Sequence, residues 1–250
     1  MAFWTMTIVD PSRISHQTLL GKIIRLPFKL IPPGAVVRVI RGPARGKRWI
    51  ADSSAHGFWL GYWELPNQKR FASRLKRGDV VYDIGAHVGL YTLLSSDRVG
   101  PAGHVYAFEP FPRNAEYLRH HIAINRLQNC TVVEGAVSSC AGSLHFDPTE
   151  LNAAGHLSDS GALEVRAVSI DEFSSSARPP SAMKINAEGA EIDVLTGGRQ
   201  TIIKFRPLIF LSTHSDALDR DCWQFLRECG YSPERIAADK IWAEGSVSRV

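Results

Sequence analysis

The stretch from Val80 to Thr92 limits the possible folds of this chain more than any other segment. A short β-branched run ends in Asp83, two glycines follow at Gly85 and Gly89, and an amphipathic run then begins. This succession is typical of a buried strand that leads into a helix through a tight turn. We expect Gly85 to let a ligand approach the backbone and Gly89 to let the helix pack close to the sheet. The helix N-terminus would suit an anionic ligand group.

A second acid stands at the end of the next predicted strand. The run that begins at His104 leads to Glu109, which lies 26 residues after Asp83. In nucleoside-binding α/β folds, an acid at this position accepts hydrogen bonds from the ribose hydroxyls. Ordinary strand-end polar residues would also explain the two acids. The order of strand, Asp-x-Gly-x-x-x-Gly, helix, strand and Glu favours a nucleoside site.

The spacing of the glycines distinguishes between classes of nucleotide. A dinucleotide fingerprint has glycines at three positions, but here His87 and Leu90 follow Gly85 at the second and third of them. The chain has no Gly-Lys-Ser/Thr run, which excludes a P-loop. An acid that leads the glycine turn suits a ligand with a cationic amino-acid end, such as S-adenosylmethionine.

The basic residues are concentrated near the N-terminus. Of the 250 residues, 44% are hydrophobic and 22% are charged, which is ordinary for a globular protein. Residues 1–50 contain nine Lys and Arg against one acid, a net charge of +8, so the remaining residues carry −4 of the total +4. We therefore expect a basic N-terminal extension over residues 1–77 and a catalytic domain over residues 78–250.

Cysteine spacing and hydropathy predict a cytoplasmic protein. No two of the four cysteines form a Cys-x-x-Cys pair, so we expect neither a zinc site nor thioredoxin-type chemistry. No run approaches the roughly 18 apolar residues of a membrane span, and no signal peptide is indicated.

The basic amphipathic pattern at residues 14–26 leaves two interpretations open. Residues 13–48 would contact a membrane surface or a polyanion, or the helix packs on the domain and solvates its basic face.

Strand and helix patterns alternate along the catalytic domain. Core strands are predicted at 80–84, 104–109, 130–133, 182–185 and 208–211. Helices are predicted at 67–75, 88–97, 112–125, 189–195 and 216–229. Shorter strands are predicted at 35–40, 47–51, 143–146 and 164–169, and a loop over the site at 147–161. This alternation predicts an α/β fold with a mostly parallel sheet, helices on both faces, and ligands at the carboxyl ends of the strands.

Five segments of the chain together form a specific pattern. They are Val81–Gly89, Ala107–Pro110, Asn125-x-Leu127, Lys184–Glu191 and Arg206-Pro207. The pattern resembles the FkbM family of S-adenosylmethionine-dependent methyltransferases, over about residues 57–215. The resemblance implies a class I methyltransferase (Rossmann-like) fold, S-adenosyl-L-methionine as the cofactor, and O-methylation of a hydroxyl on a sugar, glycan or natural product.

The resemblance also implies which residues hold the cofactor. Four residues would hold its methionine end: Asp83, Gly85, Ala86 and Gly89. Glu109 would hold the ribose. Two residues after the third core strand would lie near the adenine: Glu134 and Ala136. No metal ligand is expected.

The same resemblance places the segment from Lys184 to Glu191 beside the transferring methyl group. His214, at the end of the fifth core strand, is the first candidate for the general base, because an imidazole titrates near the working pH. A structural role as a polar cap on the strand end would also explain the presence of His214. Glu188 is the second candidate, or it orients His214. Asn186 stands where the family usually has Asp, and since Asn is not a base we expect it to hydrogen-bond the cofactor or substrate.

Two other functions stay open at this stage. Asn186 would also fit a family member that binds the cofactor but is weakly active or inactive. A nucleic-acid methyltransferase would suit the basic extension. However, such amino-methylating enzymes usually carry an Asn/Asp-Pro-Pro-aromatic run where this chain has Asn186-Ala187-Glu188-Gly189. We therefore expect a small molecule or glycan with a free hydroxyl as the acceptor, rather than nucleic acid.

Overall fold

The computed structural model describes residues 18, 30–146 and 163–245. The chain divides into two compact units, residues 1–69 and 70–250. Their boundary falls inside a helix from Leu65 to Arg74, eight residues before the boundary expected after residue 77. The helix expected at 14–26, apart from residue 18, and the loop expected at 147–161 lie outside the described residues.

We number the elements of the described residues in chain order. The strands are β1 (Val36–Arg38), β2 (Arg48–Ile50), β3 (Val80–Ile84), β4 (His104–Glu109), β5 (Cys130–Glu134), β6 (Ala136–Val137), β7 (Gly142–Phe146), β8 (Leu163–Val168), β9 (Ala182–Ile185), β10 (Leu208–Ser212), β11 (Glu234–Ala237) and β12 (Lys240–Ala243). The helices are α1 (Gly57–Leu60), α2 (Leu65–Arg74), α3 (Leu90–Val99), α4 (Pro112–Ile124), α5 (Ile170–Ser176), α6 (Glu191–Gly197), α7 (Arg199–Phe205) and α8 (Asp216–Glu228).

The first unit contains a small hairpin and a cluster of aromatic side chains. β1 and β2 pair antiparallel, with Val37 opposite Trp49. The Trp49 side chain is fully buried and stacks on Phe58, with 6.0 Å between the ring centroids. Phe58 stacks in turn on Trp63 at 4.8 Å. The rings of Trp49, Phe58 and Trp63 therefore pack in series within this unit.

The second unit is built on a seven-stranded sheet with the order β11-β12-β10-β9-β3-β4-β5. The five strands from β10 to β5 are parallel to their neighbours, and β12 and β11 are antiparallel. Every residue of β3 and β9 is buried, as expected of central strands that are covered on both faces. The mostly parallel α/β sheet is confirmed. β6, β8 and β7 form a separate three-stranded sheet.

The strand order reverses between β3 and β9, and the candidate site is expected at this point of the sheet. From β3 the chain proceeds to β4 and β5 on one side, and it later returns to β9 and β10 on the other. Ligands bind in such sheets outside the carboxyl ends of the strands, at the point of reversal. Because Ile84 is level with both Phe108 and Ile185, the segments after β3, β4 and β9 begin side by side.

Three helices, α1, α5 and α7, were absent from the sequence-based prediction, and tertiary contacts explain α7. At the start of α7, both oxygens of Asp171 accept hydrogen bonds from backbone amides, from Gln200 at 3.1 Å and from Thr201 at 2.7 Å. These amides have no partner within the helix, and their acceptor lies 29 residues or more away in the chain. α5 begins with a local cap, since Ser169 Oγ accepts from the Glu172 amide at 3.3 Å.

Candidate active site

The turn after β3 contains two glycines that are required by the protein's own packing. Gly85 has a φ of +68°, and a Cβ there would lie 1.8 Å from the carbonyl oxygen of Asn186. The close neighbour of Gly85 is therefore the loop after β9, which corrects the expectation that a ligand occupies this space. Gly89 has a φ of +100°, and a Cβ there would lie 2.5 Å from Leu118 Cδ1 in α4. Its close neighbour is a helix rather than the sheet.

Ala86 and His87 attach the turn to the end of β4. The Ala86 amide donates to the Phe108 carbonyl at 2.9 Å, and the His87 amide donates to Glu109 Oε2 at 2.7 Å. His87 has a φ of +53°, in the left-handed region that Asn, Asp and His adopt more readily than other side chains. Burial, together with the charge of Lys184, lowers the pKa of His87 to about 4. Its ring is therefore neutral at physiological pH.

The Asp83 carboxylate faces the interior. Its side chain has no exposed surface, Oδ2 accepts from Thr92 Oγ1 at 2.7 Å, and Oδ1 lies 3.3 Å from Lys184 Nζ. Lys184 also donates to the carbonyls of Ile84 at 3.2 Å and Gly85 at 2.6 Å. The cation beside Asp83 is thus a lysine of the neighbouring strand, and the pair fixes the first residues of the turn.

Glu109 is a buried acid surrounded by donors. Its side chain is 3% exposed. Besides the His87 amide, it accepts from the Phe111 amide at 3.1 Å and from Asn114 Nδ2 at 3.4 Å. Burial raises the pKa of Glu109 to about 7, although these three hydrogen bonds favour the ionised form.

Glu134 and Ala136 lie beside Glu109, at the end of the next strand. Glu134 is level with Glu109 in the parallel pair β4 and β5, and its exposed carboxylate forms an ion pair with Arg119 of α4. The Gly135 amide donates to the Glu109 carbonyl at 3.2 Å. Ala136 is buried in β6. Glu109 and Glu134 therefore end neighbouring strands of the seven-stranded sheet, and Ala136 follows two residues later in the three-stranded sheet.

His214 lies between two carboxylates. Its Nε2 is 3.0 Å from Glu188 Oε2, and its Nδ1 is 2.8 Å from Glu191 Oε1. Hydrogen bonds to Glu188 and Glu191 raise the pKa of His214 to about 10. In this arrangement the ring carries a proton on each nitrogen at neutral pH. This corrects the expectation of an imidazole that titrates near the working pH.

Glu191 was not singled out from the sequence as a site residue, yet its carboxylate contacts three groups of the site. Its side chain is fully buried at the start of α6. Besides His214, Glu191 Oε1 accepts from the amides of Ala187 and Gly189, each at 3.1 Å. One carboxylate thus holds both the loop after β9 and the His214 ring. The available sequence signal was an acid in the first turn of a predicted helix, a position that is favourable in any helix.

Glu188 and Asn186 complete the cluster. Asn186 Nδ2 donates to Glu188 Oε1 at 3.2 Å. Burial would raise the pKa of Glu188, but hydrogen bonds from His214 and Asn186 and the charge of Lys184 bring it below its usual value. Glu188 has a φ of +47°, a backbone conformation that costs a non-glycine residue on the order of 1–3 kcal/mol and tends to occur at functional sites.

A mostly parallel sheet, a glycine turn after the first core strand and a buried acid after the second together define a class I methyltransferase. The chain belongs to the FkbM methyltransferase family, because the model of the methyltransferase FkbM domain matches residues 83–233. The family resemblance noted in the sequence is thereby confirmed. Enzymes of this class use S-adenosyl-L-methionine as the methyl donor.

Two curated relatives are methyltransferases. Over 161 residues the chain is 26% identical to the hexuronic acid methyltransferase AglP of Haloferax volcanii, an alignment of 62% of this chain and 64% of that protein. Over 64 residues it is 38% identical to a protein-L-isoaspartate O-methyltransferase of Ignicoccus hospitalis, covering 26% of this chain and 30% of that protein. The chain therefore spans less than two thirds of the length of either relative.

A solved structure confirms the fold. The crystal structure of an FkbM methyltransferase from Methylobacillus flagellatus matches with a TM-score of 0.51 and 15% sequence identity, over 78% of this chain and 56% of that chain. None of the comparisons supports the membrane or polyanion contact, which was one of the two interpretations left open for residues 13–48. Within the part of the chain that the structure describes, no helix has the length and hydrophobicity needed to cross a membrane.

Proposed function

We propose that this protein transfers a methyl group from S-adenosyl-L-methionine to a hydroxyl of a sugar or glycan. The observation that carries this proposal is the similarity to a hexuronic acid methyltransferase across 62% of the chain. A natural-product hydroxyl is the wider alternative that the family resemblance allows.

The residues around the glycine turn fit a nucleoside cofactor with an amino-acid end. A carboxylate offers about four acceptor positions, and three donors reach Glu109 in the described structure, which leaves capacity for a ribose hydroxyl. The ten-residue helix α3 begins at Leu90, and its N-cap residue, Gly89, provides no side-chain cap, so its first amides suit an anionic group. When bound, the cofactor supplies a methyl group that its sulfonium makes electrophilic.

In this proposal the backbone from Gly85 through Ala86 to Gly89 holds the methionine end, and Asp83 acts indirectly. Its carboxylate is enclosed by Thr92 and Lys184, so it fixes the turn rather than reaching the ligand. Glu134 and Ala136 flank the adenine on the side of β5. This placement of adenine is supported by the pairing of Glu109 with Glu134 across β4 and β5, because the proposed ribose and adenine contacts then lie on neighbouring strands.

Glu188 is the proposed acceptor of the hydroxyl proton. Its carboxylate is ionised, and 26% of its side chain is exposed, whereas Glu191 is fully buried. A His214 ring that is protonated on both nitrogens has no lone pair to accept a proton. His214 therefore orients Glu188 from one side and Asn186 orients it from the other. Glu191 acts as a positioning residue, because it holds His214 through Nδ1 and the 187–189 loop through two amides.

The test measures methyl transfer and cofactor binding separately. Purified protein is incubated with labelled S-adenosylmethionine and with a glucuronate-containing oligosaccharide, a neutral oligosaccharide or RNA. We expect label on the glucuronate-containing acceptor, and loss of that transfer in Glu188→Gln with unchanged affinity for S-adenosylhomocysteine. Transfer to RNA but to neither oligosaccharide would overturn the proposal.

A second candidate function is a cofactor-binding protein with little or no activity, and Asn186 is the observation that favours it. The family usually has an acid at this position, and here an amide donates to Glu188. If that acid is essential for turnover, the protein would bind S-adenosylhomocysteine normally and methylate no acceptor. In that case Asn186→Asp would restore transfer, whereas in an active enzyme it would place a second carboxylate beside Glu188 and lower the rate.

A further inference from the structure

The first unit contains a cleft that the methyl-transfer site does not use. Its volume is about 460 Å³. It is formed by the turn after β1 and by α2, and it is lined by Ile40, Arg41, Gly42, Arg45, Leu65 and Lys69. This volume lies within the range of roughly 300–1,000 Å³ typical of small-molecule sites, so the cleft has room for more than a bare ion.

Three of the lining residues are cations, and none is an acid. Across residues 30–146 and 163–245, no ion pair joins Arg41, Arg45 or Lys69 to a carboxylate. Other arginines of the same ranges are paired, for example Arg70 with Glu234 at 2.5 Å. Three like charges around one cleft repel each other, and an anion between them would remove that repulsion.

The cleft is also held in shape. The Arg41 guanidinium lies over the Tyr62 ring, 5.1 Å from its centroid, and such a contact restrains the side chain. The turn is closed by a hydrogen bond from the Arg45 amide to the Gly42 carbonyl at 3.0 Å. A Cβ on Gly42 would lie 3.0 Å from Leu65 Cδ1, so a side chain at this position would crowd the wall that α2 provides.

We propose that this cleft binds a small molecule that carries a phosphate or carboxylate group. Arginine offers planar, paired donors that match both kinds of oxyanion, and lysine adds a compact positive charge. Ile40 and Leu65 provide the apolar part of the lining, which suits the uncharged body of such a ligand. The proposal stands independently of methyl transfer, because it uses only residues of the first unit.

The experiment titrates the full chain calorimetrically, at low ionic strength, with inorganic diphosphate, with D-glucuronate and with glucose. Saturating S-adenosylhomocysteine is present throughout, so that the cofactor site cannot account for binding. The test variant is the double substitution Arg45→Gln and Lys69→Gln. The matched control is Lys204→Gln and Arg227→Gln, which removes one lysine and one arginine charge from exposed positions of α7 and α8. Thermal unfolding of both variants verifies that they are folded.

We expect saturable binding of at least one anion and none of glucose. The affinity should fall by about tenfold or more in the test variant and by less than about twofold in the control. Binding of diphosphate alone would identify a phosphate ligand, and binding of glucuronate would identify a carboxylate ligand. The proposal is overturned if neither anion binds saturably, or if the two double variants weaken binding equally, since that would reflect net charge alone.

Discussion

The Lys184 ammonium lies 3.3 Å from Asp83 Oδ1, and the two side chains are 8% and 0% exposed. The residues are directly opposite each other in the parallel pair β3 and β9. Because Lys184 also donates to the carbonyls of Ile84 and Gly85, this buried ion pair connects the centre of the sheet to the start of the glycine turn. A substitution at either residue should therefore affect both the stability of the fold and the binding of the cofactor.

Lys184→Met should destabilise the protein strongly. Removing one partner of a buried ion pair leaves the other charge uncompensated, at a cost of about 3–5 kcal/mol. Urea unfolding measures the change in free energy. The double variant Lys184→Met with Asp83→Asn should be more stable than Lys184→Met alone, because the uncompensated charge is gone. Equal stabilities of the single and double variants would contradict the presence of an uncompensated charge on Asp83 in Lys184→Met.

Gly85→Ala should reduce thermal stability and cofactor binding far more than an alanine substitution at a comparable glycine. Gly78 also has a positive φ, +89°, but nothing lies within 4 Å of a Cβ placed there. Gly78→Ala should therefore lower the free energy of unfolding only by the cost of placing alanine in the left-handed conformation, about 1–2 kcal/mol. Gly85→Ala adds a collision with the Asn186 carbonyl, which is backbone and cannot rotate away. Thermal unfolding and binding of S-adenosylhomocysteine compare the two variants, and equal losses would contradict the packing described here.

Glu109→Gln should weaken the binding of S-adenosylhomocysteine by about tenfold, or ~1.4 kcal/mol. The ionised carboxylate is the stronger acceptor for ribose hydroxyls, and the pKa of Glu109 is raised to about 7. The wild-type affinity should therefore fall as the pH is lowered through that value, while the affinity of the variant should stay flat. Calorimetric titration at several pH values gives both results. A wild-type affinity that does not vary with pH would argue against Glu109 as the ribose acceptor.

His214 should make the stability of the protein depend on pH in the alkaline range. Its pKa is raised from 6.5 to about 10 in the folded state, so the folded protein holds a proton that the unfolded chain has lost. The stabilisation is complete below 6.5 and disappears as the pH rises through about 10. The difference in unfolding free energy between wild type and His214→Gln should shrink across this window. A constant difference would show that His214 does not hydrogen-bond both glutamates in solution.

Glu188→Asn and Glu188→Gln should separate catalysis from backbone strain. Both substitutions remove the proposed proton acceptor, and the loss of a general base typically lowers the rate by about 10²–10⁴-fold. Asparagine adopts the left-handed conformation of residue 188 more readily than glutamine, so the Asn variant should be the more stable of the two. Methyl-transfer rates and thermal midpoints measure the two effects. Full activity in either variant would exclude Glu188 as the base.

Local patterns in the sequence were sufficient for most of the architecture. The strand that ends at Asp83, the glycine turn, the acid at Glu109 and the alternation of strands and helices all depend on near neighbours in the chain. Burial periodicity and turn preferences report these features directly. The family resemblance rests on the same local segments, and the domain match over residues 83–233 confirms it.

The tertiary structure decided which groups meet across the sheet. Lys184 contacts Asp83 although the two residues are 101 positions apart in the chain. Residue 85 must be glycine because the Asn186 carbonyl, in the loop after β9, occupies the space that a Cβ would need. Likewise, a histidine with an ordinary pKa of 6.5 becomes a cation because Glu188 and Glu191 lie on both sides of it. A sequence pattern records the preferences of a segment for its own conformation. Contacts and charge states depend on which distant segments the folded sheet brings together.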